Sequence, residues 1–137
     1  MSMTPPTSTR LLIIDDVASM RIVIRGLLAK LEYKNVLDID TVPAAIALME
    51  KQHTLGAPID IVLSDWEMPQ YTGLELLKEV RSNEKFAKVP FIMVTGVRST
   101  ENVMAALQAG VSGYLVKPFS EAQLLAQLGL AWKKLNG

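Results

Sequence analysis

Leu11-Leu12-Ile13-Ile14-Asp15-Asp16 is the stretch that decides the fold. Four aliphatic residues in a row stop abruptly on two carboxylates. A strand with one wet face alternates apolar and polar residues, whereas a strand covered on both faces is apolar throughout. The same shape recurs three times. Ile59-Asp60-Ile61-Val62-Leu63-Ser64 ends in Asp65, Phe91-Ile92-Met93-Val94 in Thr95, and Tyr114-Leu115-Val116 in Lys117. In an open α/β sheet, ligands sit outside the carboxyl ends of the strands. Three carboxylates, a hydroxyl and an ammonium therefore converge on one crevice, a set suited to Mg²⁺-assisted phosphoryl transfer.

Working outward, apolar runs alternate with helix-period segments five times, which predicts a doubly wound parallel sheet with five helices. Met20, Val23, Ile24, Leu27, Leu28 and Leu31 form the inward stripe of the first helix. Asn35 to Ile39 reads as a short second strand. Thr41 offers an N-cap and Pro43 suits the first turn of a helix running to about Gln52. Gly56-Ala57-Pro58 breaks the chain before the third strand. Thr72 and Glu75 have capping-box spacing, which starts a helix ending near Ser82. Lys88-Val89-Pro90 marks a turn. Ser99 or Thr100 opens the fourth helix, with Val103, Ala106 and Leu107 facing in, and Gly110 ends it. Ser120 and Gln123 repeat the capping-box spacing for the last helix, whose stripe is Leu124, Leu128, Trp132 and Leu135. Met20, Met49, Met68, Met93 and Met104 fall mostly on core or site-flanking positions.

The 137 residues suit one domain, large enough to bury roughly two thirds of its unfolded surface. Fourteen basic residues balance 14 acidic ones, which argues against a nucleic-acid partner. There is no cysteine, hence no disulfide and no Cys-based zinc site; this fits a cytoplasmic location. No apolar run approaches the ~20 residues of a membrane span. Residues 1–9 are polar and proline-containing and read as a disordered lead, leaving residues 10–137 as the domain.

Asp15-Asp16 with Asp65 makes a hard oxygen site of the kind Mg²⁺ takes. Without metal the like charges repel, and at least one pKa should rise. Standing alone, Asp15-Asp16 would read equally well as a helix cap beside a solvated neighbour. Asp65, Thr95 and Lys117 at the ends of three further strands weigh against that.

Five motifs in order, Ile13-Ile14-Asp15-Asp16, Ser64-Asp65-Trp66-Glu67-Met68-Pro69, Thr72-Gly73-Leu74-Glu75-Leu76-Leu77, Met93-Val94-Thr95-Gly96 and Gly113-Tyr114-Leu115-Val116-Lys117-Pro118-Phe119, resemble a two-component response-regulator receiver domain. The resemblance runs from about Arg10 to Leu135 and is strongest to stand-alone chemotaxis regulators. It implies a flavodoxin-like fold with strand order 2-1-3-4-5. It implies that Asp65 accepts a phosphoryl group from a histidine kinase, and that Asp16, Asp65 and the backbone carbonyl of Glu67 ligate Mg²⁺, with Asp15 acting through metal-bound water. Lys117 would pair with one phosphoryl oxygen and Thr95 would donate to another. Thr95 and Tyr114 would then switch the face made by the fourth helix, fifth strand and last helix. Lys117-Pro118 resembles the family's cis peptide. The protein implied is a cytoplasmic monomer that is no enzyme beyond its own phosphorylation and slow dephosphorylation. Its output would be a protein partner, the flagellar motor switch being favoured, with a phosphatase as a further partner and neither nucleic acid nor membrane involved.

Some positions stay open. Tyr114 is either the switch or a half-exposed edge aromatic. Glu67 either reaches metal-bound water or is a solvated loop carboxylate. Gly96 leaves access for donor and water, and Val97 sits where the family tunes phosphoryl lifetime, in a direction the sequence does not give. Thr72 replaces a commoner Asp as an N-cap. Val42-Pro43 alters a loop. His53 reads as a surface residue. Arg21 and Arg25 form either a solvated helix face or a kinase-docking surface. Three rival functions share these residues: a receiver of another pathway or phosphate sink, a Mg²⁺-dependent aspartyl-phosphate phosphohydrolase, and a degenerate receiver acting as scaffold.

Overall fold

A computed structural model describes residues 4–96 and 99–136. Ten elements alternate along the chain: β1 (Leu11–Ile14), α1 (Ala18–Lys30), β2 (Val36–Ile39), α2 (Val42–Thr54), β3 (Ile61–Asp65), α3 (Gly73–Ser82), β4 (Phe91–Thr95), α4 (Thr100–Gln108), β5 (Gly113–Val116) and α5 (Glu121–Asn136). The five strands are parallel in the order β2-β1-β3-β4-β5. The doubly wound architecture and its implied strand order are both present.

The continuous apolar runs have the cause expected of them: both sheet faces are covered. Residues alternate along each strand between two cores. Leu12, Ile14, Val62, Phe91 and Met93 pack with Val42, Ala45, Met49, Leu76, Leu77, Val80 and Ala106 from α2, α3 and α4. Leu11, Ile13, Ile61, Leu63, Ile92, Val94 and Leu115 pack with Ile24, Leu28, Leu124, Leu128 and Ala131 from α1 and α5. All of β1, β3 and β4 is buried. Each fully buried aliphatic side chain contributes roughly 1.5–3 kcal/mol.

Local signals fix the helix starts. The Thr41 side chain accepts the Ala44 N–H, and Pro43 sits in the first turn of α2. Thr72 and Glu75 form a reciprocal capping box on α3. Ser99 accepts the Asn102 N–H at the start of α4. Ser120 and Gln123 exchange bonds ahead of α5. Strand β3 starts two residues later than its apolar run, because the Asp60 and Ile61 N–H groups both turn to the Arg10 carbonyl.

Four apolar positions depart from the periodicity. Val23 (52% exposed), Met104 (50%), Leu107 (55%) and Leu135 (43%) face outward. A helix lying on a sheet buries a narrow stripe, and α4 fully buries only Ala106. Leu135 stands near the end of α5, four residues past Ala131, the last buried one among the described side chains of that helix. His53 is exposed as expected, its ring edge-on to Phe86 with centroids 6.0 Å apart.

The expected disordered lead differs in its described part, residues 4–9. Pro5 is buried and its carbonyl accepts the Tyr33 hydroxyl at 2.7 Å. Thr9 is buried, and the Ser8 carbonyl accepts from Asn35. Composition marked this stretch as polar, but four hydrogen bonds tie it to the body or close its turn, the last two from the Thr9 hydroxyl and N–H to the Pro6 carbonyl. At the far edge of the sheet, the Gln127 side-chain oxygen accepts the Tyr114 N–H at 3.1 Å. A Cβ on Gly113 would stand 2.8 Å from that same oxygen, so a larger residue there would push the Gln127 side chain away.

Candidate functional site

The carboxyl ends of β1, β3 and β4, with Lys117 just past β5, open into a cleft of about 530 Å³. Asp16, Val17, Asp65, Glu67, Met68, Thr95, Gly96 and Lys117 are among the residues lining it. Every residue assigned to the chemistry from the sequence therefore comes to this one place, Asp15 lying directly behind it.

Asp15 is 1% exposed. One of its carboxylate oxygens accepts the Val17 N–H at 2.9 Å and the other pairs with Lys117 Nζ at 3.1 Å. Lys117 Nζ also stands 3.4 Å from Asp65 Oδ1. Asp16 is exposed and faces the cleft. Carboxylate oxygens of Asp15, Asp16 and Asp65 all lie within 4.8 Å of one another. Oxygens on one octahedral Mg²⁺ are about 3–4 Å apart, given metal–oxygen distances of roughly 2.0–2.1 Å. The three acids thus fit a small hard cation after slight contraction, and among the described residues they are the acidic group of that kind.

Asp65 carries a raised pKa, as like-charge repulsion predicted, but the leading cause is different. Burial of the carboxyl comes first; the Asp15 charge adds to it, and Lys117 opposes both. The backbone under Asp65 is pinned. Ser64 Oγ donates to the Asp65 carbonyl at 2.9 Å, and the Gly73 N–H donates to the Trp66 carbonyl at 2.7 Å. A Cβ on Gly73 would meet the Asp65 carbonyl at 2.1 Å, so the start of α3 can approach the acid only as glycine. The sequence showed Gly73 merely as part of a capping box.

Thr95 is buried at the end of β4. Tyr114 pairs in register with Met93, two residues before Thr95, so Tyr114 and Thr95 project to the same sheet face. Tyr114 is half-buried against the α2–α3–α4 core, and burial raises its phenol pKa. Glu67 is exposed, and Gly96 leaves open space where a side chain would stand. The Lys117–Pro118 bond is cis, as the resemblance implied. Val97 lies outside the described residues.

Arg21 departs from the sequence reading. Its side chain is 19% exposed and pairs with Asp38 on β2 at 3.2 Å, while its Nη1 donates to the Asp15 carbonyl at 2.6 Å. Arg25, more exposed, pairs with the same Asp38. The readable signal was the i, i+4 spacing of two arginines opposite a lone acid in the edge strand.

Fold and site together define a doubly wound α/β protein with an acid-lined, lysine-bearing cleft at its topological switch point. The profile of the response regulator receiver domain matches residues 11–129, and the chain belongs to that family. It is 35% identical over 126 residues to chemotaxis protein CheY-3 of Vibrio cholerae, covering 92% of this chain and 93% of that one. It is 34% identical over 128 residues to chemotaxis protein CheY of Pseudomonas aeruginosa, covering 93% and 99%. Among solved structures it resembles chemotaxis protein CheY4 of Vibrio cholerae, with TM-score 0.79, 31% identity and coverage of 88% and 96%. A receiver-domain protein from Clostridium thermocellum shares the fold at TM-score 0.81 and 23% identity, covering 93% and 97%.

Proposed function

We propose that this receiver is a phosphorylation-controlled switch of the chemotaxis type, which accepts a phosphoryl group on Asp65. The observation that carries the reading is the placement of Asp65 Oδ1 3.4 Å from Lys117 Nζ, in a cleft shared with Asp16 and Thr95 and backed by Asp15. In the transfer, an Asp65 carboxylate oxygen forms the bond to phosphorus. The phosphorus–nitrogen bond of a kinase phosphohistidine breaks, and imidazole leaves. Such transfer depends on positioning and charge neutralisation rather than on covalent help. Lys117 supplies a point charge to one phosphoryl oxygen and Thr95 a hydroxyl donor to another. Asp16, Asp65 and the Glu67 carbonyl would hold Mg²⁺, with Asp15 behind them. When bound, the ion would supply positive charge to offset that of the incoming phosphoryl group. Asp65 acts as an acceptor and not as a turnover catalyst.

The output follows from the shared face of Thr95 and Tyr114. A dianion on Asp65 draws Thr95 inward and Tyr114 follows, reshaping the α4–β5–α5 surface where Met104, Leu107 and Leu130 stand exposed. The names of the curated relatives favour chemotaxis; from the family resemblance we take the flagellar motor switch as partner, a histidine kinase as donor and the cytoplasm as the location. No helix among the described residues is long and apolar enough to cross a membrane.

Intact mass after incubation with an acyl phosphate and Mg²⁺ tests the reading. One added phosphoryl group that vanishes in Asp65→Asn and without metal is expected. Steady turnover of the donor at a rate exceeding slow self-dephosphorylation would replace the switch with a phosphohydrolase. A folded, metal-bound protein with no adduct would replace it with a scaffold.

A further inference from the structure

We propose that Arg21 is a positioning residue for the Mg²⁺-binding acids, acting through the peptide that joins Asp15 to Asp16. The proposal rests on the metal-dependent function above. The carbonyl that Arg21 grips at 2.6 Å belongs to that peptide. Its plane sets where both carboxylates leave the main chain, one inward to Lys117 and one outward to the cleft. The Asp15 amide is fixed from the other side by the Ile39 carbonyl on β2. The Asp15 carboxylate also closes a turn across this peptide by accepting the Val17 N–H, but among the described residues it is Arg21 that holds the carbonyl itself.

Arg21 is itself held. Its Nε bonds to Asp38, and Asp38 also takes two N–H groups of Arg25. Arg25 thus suffices as a counter-charge for Asp38, which leaves the Arg21 fork to bridge an acid on β2 and a neutral carbonyl at the end of β1. A planar guanidinium can span two such acceptors; an ammonium cannot. Partners that orient metal ligands typically change metal affinity by about 10–100-fold when removed.

Two physical effects of removing Arg21 have opposite signs. Deleting a cation near three acids attracts Mg²⁺ more strongly through space. Releasing the Asp15–Asp16 peptide weakens binding. Mg²⁺ also demands stricter octahedral geometry than Ca²⁺, so loosened ligands should cost Mg²⁺ more.

Calorimetric titration of Mg²⁺ and Ca²⁺ into the full chain, its Arg21→Gln, Arg21→Lys and Arg25→Gln variants, decides the matter. Arg21→Gln is expected to weaken Mg²⁺ about tenfold and to lower the Mg²⁺/Ca²⁺ preference. Arg25→Gln should stay within about twofold of the parent, because Arg25 bonds to Asp38 and, among the described residues, not to the Asp15 carbonyl. Arg21→Lys keeps the charge and loses the fork, so it should follow Arg21→Gln; it also serves if the glutamine variant fails to fold. Unchanged or tighter Mg²⁺ binding in the Arg21 variants would overturn the proposal while leaving the function standing. A parent chain that binds no Mg²⁺ would overturn both.

Discussion

The two ends of the same parallel sheet are built on opposite electrostatic terms. At the carboxyl end, three acids crowd one lysine, and burial with a neighbouring charge holds the Asp65 pKa up. At the amino end, the Arg81 guanidinium donates to the carbonyls of Gly110, Val89 and Ala87 and to Ser112 Oγ. Ser112 Oγ in turn accepts the Phe91 N–H, and Lys134 reaches the Ser112 carbonyl. One end leaves charge to be neutralised by something arriving. The other saturates its cation with neutral acceptors from two loops. Binding is placed where the fold is electrostatically unfinished, and stability where it is complete.

The contrast can be broken most severely at Asp65. Asp65→Asn should abolish the acyl-phosphate mass adduct altogether, whatever its effect on folding. Lys117→Met should slow adduct formation by roughly 10²-fold, because the lost charge acts where phosphoryl charge develops. Stopped-flow or timed mass measurements would show it, and a rate within twofold of the parent would remove Lys117 from the chemistry. Arg81→Met should instead cost about 2–3 kcal/mol in urea unfolding, since several acceptors lose their donor, while leaving Mg²⁺ affinity unchanged. A variant of full stability would dissolve the distinction between the two ends.

The smallest effect sharpens the contrast through pH. A carboxyl whose pKa is raised on folding binds its proton more tightly in the native state. Its contribution to stability is full below the ordinary value of 3.8 and is lost as pH rises through the folded-state value. In metal-free buffer at pH 7, Asp65→Asn should therefore melt a few degrees above the parent, and near pH 3 the two should coincide. Added Mg²⁺ should reverse the order by stabilising only the parent, by about 2.7 kcal/mol at a hundredfold excess over its Kd. A parent more stable than the variant without metal would mean that Lys117 outweighs burial.

The sheet and its site were legible because parallel strands write themselves as unbroken apolar runs, and their last residues announce the ligand side. Caps at Thr41, Thr72, Ser99 and Ser120 were legible because capping is a local side-chain bond. What escaped was set by distance in sequence. Arg21 meets a partner 17 residues away, Arg81 one 31 residues away, and Tyr33 one 28 residues away. A charged residue off the apolar stripe looks solvated until the fold brings it an acceptor. Outward-facing Met104 and Leu107 escaped for the converse reason: periodicity marks an apolar face without saying whether protein or water covers it.

The Gln127 bond to the Tyr114 amide has a meaning for crowded solutions. A sheet ends in backbone groups that will accept any passing strand, and proteins blunt such edges to avoid zipping together. Here β5 is four residues long, and a helix side chain already occupies one of its amides. Gly113 keeps the space that this plug needs. A neighbouring molecule at high concentration thus finds one amide fewer to pair with on this edge of the sheet.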